Sequence, residues 1–145
     1  MTKPYLLSLL ALTASAAFPA LAIPTPPSLT YLYSVNLTMP AGTNLGHVPY
    51  GSRALLPISG GTFSGKVGIG LDWGLTDGKG IFSPDAVYAL HTDDNSTIMV
   101  TEKGHAPHVH ILFETSSDKY AWLNGIVAYA TGGPFEGGVG LDAWQ

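Results

Sequence analysis

The sequence predicts an all-β protein, a single antiparallel β-barrel with at most one short helical turn near residues 118–124. Two observations carry this prediction. Apolar residues recur with period two rather than 3.6 in one segment after another, and clusters of Gly and Pro separate those segments. With 18 Gly and 11 Pro in 145 residues, the chain fits short strands joined by frequent turns, as in an antiparallel barrel or sandwich. Its length is that of one domain with one core.

The N-terminal 22 residues have the pattern of a secretory signal peptide. Lys3 supplies a positive charge, residues 5–18 form a short apolar run, and Ala20-Leu21-Ala22 places small residues where signal peptidase cleaves. The run is shorter than the roughly 20 apolar residues of a membrane-spanning helix. We therefore expect residues 1–22 to be a signal peptide and the protein to be secreted.

The barrel domain is predicted to follow a short leader. Residues 23–28 contain three prolines, cannot form a helix and are expected to be extended. Residues 29–145 then form the barrel, whose predicted strands are Leu29–Leu37, Ala54–Ile58, Thr62–Trp73, Ala86–Thr92, Thr97–Thr101, His108–Thr115, Ile126–Ala130 and Val139–Trp144. Turn signals lie at Pro40–Gly42, Pro49–Gly51, Thr76–Gly78, Asp93–Asn95, Lys103–Gly104, Ser116–Asp118 and Gly132–Gly140.

Two local features refine this plan. The segment Asp118–Asn124 fits one helical turn, with Asp118 as a candidate N-cap. Glycines at positions 65, 68, 70 and 74 lie within or beside a strand pattern. Such glycines usually mark β-bulges, barrel corners or close backbone approach, so they favour a closed or strongly bent sheet.

Composition excludes several classes of function. The formal net charge is −4, and removal of Lys3 with the signal peptide would bring it near −5. With no basic cluster, the chain is a poor candidate for binding nucleic acid or an anionic membrane. It contains no cysteine, which excludes disulfides and thiol chemistry. Asn36 and Asn95 each begin an Asn-x-Ser/Thr sequon, so N-glycosylation of a secreted product is expected there.

Several spaced blocks resemble a known family. They comprise Pro57–Gly65, Asp72-Trp73, Asp85–Asp94, Phe113-Glu114 and Tyr120–Asn124. In this order they resemble the family catalogued as domain of unknown function 3237, across nearly the whole mature chain. The resemblance implies a single-domain antiparallel β-barrel without a well-established general activity. The chain departs from the family pattern at Asn95, where a glycine is usual, and in a shortened, histidine-bearing segment before Phe113.

A histidine cluster suggests one kind of site. His108, His110 and Glu114 share one face of a strand because side chains alternate with period two. A His-x-His pair followed by a carboxylate can hold a divalent metal in cupin-type barrels. That pattern also needs a later histidine, and none follows position 110. We therefore expect no metal or cofactor, and treat a metal site as the lesser alternative to a solvent-facing histidine row.

Carboxylates beside indoles suggest a second kind of site. Asp72-Trp73 and Trp122–Asn124 combine a carboxylate or amide with an aromatic side chain. In a barrel interior an apolar pocket would raise a carboxyl pKa and permit general acid–base work. The alternative is that the aromatic residues form core and that Asp or Asn side chains cap backbone groups.

Residues 91–95 combine a turn signal with a titratable group. Thr92–Asn95 is typical of a hairpin turn because Asp and Asn tolerate left-handed backbone conformations. Too few oxygen ligands surround it for a calcium loop. His91 precedes the turn and has opposite parity to Tyr88, so either side chain could face the cavity. His91 is one of the few groups able to titrate near neutral pH.

Two functional hypotheses follow. In the first, the barrel binds a small, largely apolar organic molecule and acts as a cofactor-free isomerase, cyclase or lyase. Its candidate acids and bases are Asp72, His91, His110 and Glu114. Its candidate ligand-binding residues are Trp73, Tyr88, Phe113, Tyr120, Trp122 and Asn124. In the second, the protein is a secreted carrier or host-surface factor, and homo-oligomers could cover an apolar barrel wall. No nucleophile elbow, catalytic triad or phosphate loop is present.

Overall fold

The computed structural model describes residues 24–145; the predicted signal peptide lies outside them. Nearly all of the regular structure is strand: β1 Tyr31–Thr38, β2 Thr43–Val48, β3 Gly51–Ile58, β4 Gly60–Thr62, β5 Gly65–Asp72, β6 Leu75–Thr76, β7 Phe82–Ser83, β8 Asp85–Thr92, β9 Thr97–His105, β10 His108–Glu114, β11 Ala128–Phe135 and β12 Gly138–Trp144. The described residues contain a single 3-10 helix, Ala121–Gly125. None of their helices has the length and apolarity needed to span a bilayer.

Eight strands close into an antiparallel barrel, which confirms the predicted fold class. The order around the barrel is β4, β1, β12, β11, β10, β9, β8 and β5, and β4 pairs with β5 to complete the ring. Strand β4 is only three residues long, yet it joins β1 on one side and β5 on the other. Closure leaves no free sheet edge along the ring.

A small second sheet extends from one end of the barrel. Strand β3 pairs with β5 through Leu56–Ile58. Its earlier residues pair with β2 and β6. The short β6–β7 ribbon then carries the chain across this end and into β8. It brings Phe82 and Pro84 to the rim of a cavity in the barrel.

Alternation along the strands decides which side chains enter the barrel. On β8 and β9 the even-numbered residues are buried, and on β10 the odd-numbered residues are buried. The resulting core is one cluster that includes Val35, Leu37, Ile58, Val67, Tyr88, Leu90, Ile98, Val100, Val109, Ile111, Phe113, Leu123 and Leu141. Asp72 and Glu102 are the charged residues buried among the described side chains.

Strand glycines allow the close approach that the sequence predicts. The register of β5 against β8 shifts between Val67 and Gly70, which marks an irregularity of the bulge type. A Cβ on Gly70 would lie 2.4 Å from Tyr88 Cβ. This glycine therefore lets the inward-facing Tyr88 side chain pass close to the neighbouring strand.

Several predicted boundaries were wrong. The predicted strand Thr62–Trp73 is divided by a reversal at Phe63-Ser64, and strand β2 was not predicted. Strand β9 runs through Lys103-Gly104, and the chain reverses instead at the cis peptide Ala106-Pro107.

The glycine-rich segment Gly132–Gly140 was also predicted wrongly as a turn. It contains the ends of two paired strands around a turn at Glu136-Gly137. A Cβ on Gly132 would lie 1.9 Å from the Gly140 carbonyl oxygen, so the two backbones meet more closely than side chains would allow.

The helical turn and the Asp93–Asn95 turn lie where the sequence places them. The 3-10 helix begins at Ala121, and its N-cap is Tyr120 without a side-chain cap, which corrects the assignment of Asp118. Asn95 has a φ of 63° in the turn between β8 and β9. The side chains of both sequon asparagines, Asn36 and Asn95, are exposed.

Barrel closure depends on Gly61. Its φ is 141°, and a Cβ there would lie 2.0 Å from the Asn36 carbonyl oxygen on β1. Because both strain and the clash act at the β1–β4 seam, we expect Gly61→Ala to lower the free energy of unfolding by roughly 1–3 kcal/mol. Urea denaturation measures this, with Gly78→Ala as the control because open space surrounds that position. Equal stability of the two variants would contradict this account of closure.

Candidate active site

The barrel interior contains a cavity of about 600 Å³ that we call the carboxylate chamber. Asp72 and Glu102 are its charged lining residues, and its walls are largely apolar: Leu37, Met39, Leu56, Ile58, Phe82, Ala86, Val109 and Leu141. The volume lies within the range of ordinary small-molecule sites, about 300–1,000 Å³. The chamber therefore combines the size of a ligand site with two acidic groups.

Strand register places the two carboxylates on either side of a small residue. Asp72 of β5 pairs with Ala86 of β8, and Ala86 pairs with Glu102 of β9. Two strand spacings separate the backbones of Asp72 and Glu102 by about 10 Å. All three side chains face the interior, and the methyl group of Ala86 leaves the space between the carboxylates open.

Glu102 has the more perturbed environment. Its side chain is 3 % exposed, and its pKa is raised to about 7, chiefly by burial. The negative charge of Asp72 contributes to this rise, while a hydrogen bond donated by the Tyr88 hydroxyl opposes it. That hydrogen bond to Glu102 Oε1 is 2.5 Å long. At neutral pH a substantial fraction of Glu102 therefore carries a proton.

Asp72 is held in a more polar setting. Burial and the nearby charge of Asp85 raise the pKa of its carboxyl, and a 2.9 Å hydrogen bond from the backbone amide of Asp85 to Asp72 Oδ1 offsets only part of this rise. The strand end is fixed nearby, because Arg53 Nη1 donates a 2.5 Å hydrogen bond to the carbonyl oxygen of Trp73. The hydrogen-bonded carboxylate is the form that can accept a proton.

Two buried tyrosines, Tyr33 and Tyr88, lie near Glu102. Burial raises the pKa of Tyr88 and of Tyr33, and the charge of Glu102 adds to both shifts. The hydroxyls of both therefore stay protonated across the physiological range. The Tyr33 hydroxyl is buried beside that of Tyr88 and completes no hydrogen bond. Tyr88 is thus a hydrogen-bond donor that fixes one oxygen of Glu102.

The arrangement can perform acid–base chemistry in a largely apolar space. Two carboxyl groups line one cavity, and burial raises the pKa of both, that of Glu102 to about 7. A pair of carboxyl groups can perform acid–base chemistry when one is protonated and the other ionised at the same pH. Apolar walls strengthen both roles by excluding water.

The structure brings some of the predicted catalytic residues inside and leaves others outside. Asp72 lines the chamber, whereas His91, His110 and Glu114 lie on the outer face of the barrel. The expectation that they could point inward is wrong, because apolar neighbours of opposite parity occupy the interior. On β10 these neighbours are Val109, Ile111 and Phe113, and on β8 they are Ala86, Tyr88 and Leu90.

The histidine row is also outside the barrel. The His108 ring stacks on Tyr129 with a centroid separation of 5.8 Å, and its Nδ1 lies 2.5 Å from the Tyr129 hydroxyl oxygen. Within residues 24–145, no three His, Cys, Asp or Glu side chains are grouped as metal ligands. The geometry therefore does not assemble the alternative site of His108, His110 and Glu114.

The predicted ligand-binding residues are divided between different surfaces. Tyr88 is in the core, while Phe113, Tyr120 and Trp122 line a second cavity at the other end of the barrel. Asn124 has a structural contact, because its side-chain amide makes two hydrogen bonds with the backbone of Thr115. Trp73 lies on the outer wall near Ile69 and Val87.

Glu102 was not among the residues singled out from the sequence. Its position in the strand alternation was the available clue. It lies two residues after Val100 and four after Ile98, whose side chains enter the core. A carboxylate in phase with buried apolar residues is unusual, since unpaired charges are rarely buried. Counting the alternation of β9 one step farther would have identified it.

Comparison with known proteins identifies a matching family and a related enzyme. The family model described as protein of unknown function (DUF3237) matches residues 27–109. A hydroalkoxylation enzyme of Penicillium herquei, phnH, is 37% identical over 139 residues, covering 90% of this chain and 89% of that protein. This relative shows that an enzyme occurs among proteins similar to this chain.

Solved structures agree with the barrel. The crystal structure of an enzyme from Penicillium herquei has a TM-score of 0.79 and 34% identity, covering 86% of this chain and 97% of that one. A β-barrel-like protein from Acinetobacter baumannii has a TM-score of 0.76 and 31% identity, with coverage of 83% and 97%. Together with the family match, these similarities show that the chain belongs to the DUF3237 family.

Proposed function

We propose that this protein is an acid–base enzyme whose substrate is a small, largely apolar molecule with both a hydroxyl group and a carbon–carbon double bond. The enzyme adds the O–H bond of that hydroxyl group across the double bond. The reaction would close a cyclic ether in the carboxylate chamber. The observation that carries the proposal is the pair of carboxyl groups, Asp72 and Glu102, flanking Ala86 in one cavity. The 37% identity to a hydroalkoxylation enzyme supports this choice among acid–base reactions.

The proposed step balances without any added reagent. Protonated Glu102 donates its proton to one alkene carbon, and the π electrons form the new C–H bond. The substrate oxygen bonds to the other carbon while its proton passes to the Asp72 carboxylate. Return of that proton to Glu102 through solvent restores both groups. The product is an isomer of the substrate, and reversal of the step would make the same site an ether lyase.

Each part of the chamber has a task in this step. The Tyr88 hydrogen bond orients one oxygen of Glu102, while the apolar wall holds a flexible substrate in a conformation that brings oxygen and alkene together. Such positioning contributes much of the rate in intramolecular reactions. The Asp72 carboxylate would also stabilise positive charge that develops on the alkene.

A deuterium-labelling assay tests the proposal. The purified protein is incubated in deuterium oxide with ortho-prenylphenol, which has a phenol hydroxyl and an alkene. We expect protein-dependent formation of dimethylchroman carrying one carbon-bound deuterium, detected by mass spectrometry. Binding of prenylphenol in the chamber without protein-dependent chroman formation would contradict the enzyme proposal and favour a carrier.

A further inference from the structure

We infer that the barrel has a second ligand site, separate from the carboxylate chamber, that takes a neutral, planar aromatic molecule. This site is the cavity of about 520 Å³ at the end of the barrel beside the 3-10 helix, which we call the aromatic chamber. Five aromatic side chains from four parts of the chain line it: Tyr33, Phe63, Phe113, Tyr120 and Trp122. The inference does not rest on the proposed cyclisation.

A layer of core side chains separates the two chambers. Tyr88 of β8 pairs with Val100 of β9, which pairs with Phe113 of β10, and all three are buried. No residue that lines the carboxylate chamber also lines the aromatic chamber. The two cavities therefore open toward opposite ends of the barrel and can hold different molecules.

The inner walls of the aromatic chamber present ring edges and faces in the geometry that aromatic groups prefer. Tyr33 makes edge-to-face contacts with Phe63 and with Phe113, at centroid separations of 6.3 and 6.2 Å. Both interplanar angles, 71° and 66°, are those of T-shaped pairs. A planar ring inserted here can extend this series, whereas a flexible aliphatic chain would gain only contact area.

The mouth of the chamber leaves a large aromatic surface uncovered. Trp122 is 50 % exposed although it belongs to the cavity lining. Its neighbour Leu123 is 8 % exposed and anchors the 3-10 helix in the core. The indole is thus held at the rim by its neighbour rather than by its own packing. A stacked ligand would cover it and gain hydrophobic free energy.

Polar contacts preorganise this mouth. Asp94 Oδ2 accepts a 2.6 Å hydrogen bond from Lys119 Nζ and a 3.3 Å hydrogen bond from the Tyr120 hydroxyl. Thr92 Oγ1 donates to Asp94 Oδ1. These contacts tie the segment before the 3-10 helix to the turn between β8 and β9, so less ordering is needed on binding.

Charge at the rim disfavours an anionic ligand, because Asp93, Asp94 and Lys119 line it and sum to −1. Asp93 is exposed to solvent. Lys119 is paired with Asp94, and its ammonium group lies 5.0 Å from the centre of the Tyr120 ring. Neither charge of this pair requires a counter-ion from a ligand. A phenol or a fused aromatic alcohol meets the requirements of flat shape, neutral charge and one polar group for the rim.

Titration with naphthol, followed by calorimetry, tests the second site. We expect Trp122→Ala to weaken naphthol binding about tenfold, because it removes a stacking surface worth roughly 1.4 kcal/mol. Trp144→Ala removes an indole from outside both chambers and should leave the affinity unchanged. Glu102→Gln should also bind naphthol normally, whatever its effect on turnover.

Intermolecular nuclear Overhauser contacts then locate the naphthol. Contacts to the ring protons of Trp122 and Phe63 are expected. Contacts to the Ala86 methyl group would instead place the ligand in the carboxylate chamber and overturn the inference. Absence of naphthol binding, or equal affinity of the wild-type protein and Trp122→Ala, would overturn it as well. Circular dichroism of the Trp122 variant verifies that it is folded.

Discussion

Replacing Glu102 by Gln is expected to lower the turnover of the cyclisation by about 10²- to 10⁴-fold, the usual contribution of a general acid. Gln has nearly the same shape and can still accept the 2.5 Å hydrogen bond from Tyr88, but it has no proton to donate to an alkene. The loss should appear in kcat, with little change in substrate affinity, because the chamber keeps its shape.

Glu114→Gln is the matched control. It makes the same chemical change on the outer face of β10, and it should retain wild-type turnover. Similar activity of both variants would show that Glu102 is not the acid, while loss in Glu114→Gln alone would move the chemistry to the outer face. Both variants are assayed as initial rates of chroman formation.

The pH dependence of turnover follows from the same assignment. Glu102 must be protonated to act, and its pKa is raised to about 7. The rate constant kcat/KM should therefore fall as the pH rises through about 7. A rate that instead increases through this range would mean that Glu102 acts as a base, or that another group titrates.

The stability of the fold should depend on Glu102 in a pH range set by its pKa. In the folded protein the pKa is about 7, compared with an ordinary value of 4.5. The folded state thus binds this proton more tightly than the unfolded state does. The resulting stabilisation is fully present below pH 4.5 and is lost as the pH rises through 7. A shift of this size corresponds to about 3 kcal/mol.

Comparison with Glu102→Gln isolates this contribution from that of the other acidic groups. The wild-type free energy of unfolding, minus that of the variant, should fall by about 3 kcal/mol between pH 4 and pH 8. Urea denaturation at several pH values within this range measures the difference. A difference that stays constant would show that burial of Glu102 does not perturb its proton affinity.

The fold class was predictable because strand alternation is a local property. Segments such as Ala86–Thr92 alternate regardless of what they pair with, and their buried residues occupy every second position. Pairing is not local. The short strand β4, which closes the barrel, was not recognised because its partner β1 is distant in sequence. Strand β2 pairs with the adjacent strand β3, but its residues are mostly exposed, so no apolar alternation marks it.

Part of the candidate site was also predictable. Asp72 was identified beside an aromatic residue, and the structure places its carboxylate in the carboxylate chamber. The favoured prediction of a solvent-facing histidine row agrees with the structure, whereas the candidacy of His110 and Glu114 for a cavity does not. The reason for both outcomes lies in β10. Its apolar residues Val109, Ile111 and Phe113 have one parity and both histidines have the other, so hydrophobic burial turns His108 and His110 outward.

Glu102 shows what sequence patterns leave undetermined. Its parity places it in the interior, but which residues it meets there depends on the register of three strands. Asp72, Ala86 and Glu102 come from positions far apart in the chain and become neighbours only through the β5–β8 and β8–β9 pairings. The meeting of two buried carboxyl groups in one cavity is therefore a property of the closed barrel.

Titration of the Glu102 carboxyl carbon by NMR tests the central claim most directly. The chain has only three glutamates, at positions 102, 114 and 136, so selective ¹³C labelling of glutamate gives a simple spectrum. Glu102→Gln assigns the resonance by removing it. We expect the Glu102 carboxyl signal to titrate with a midpoint near pH 7. A midpoint below about pH 5, close to that of an ordinary glutamate, would contradict its role as a buried acid.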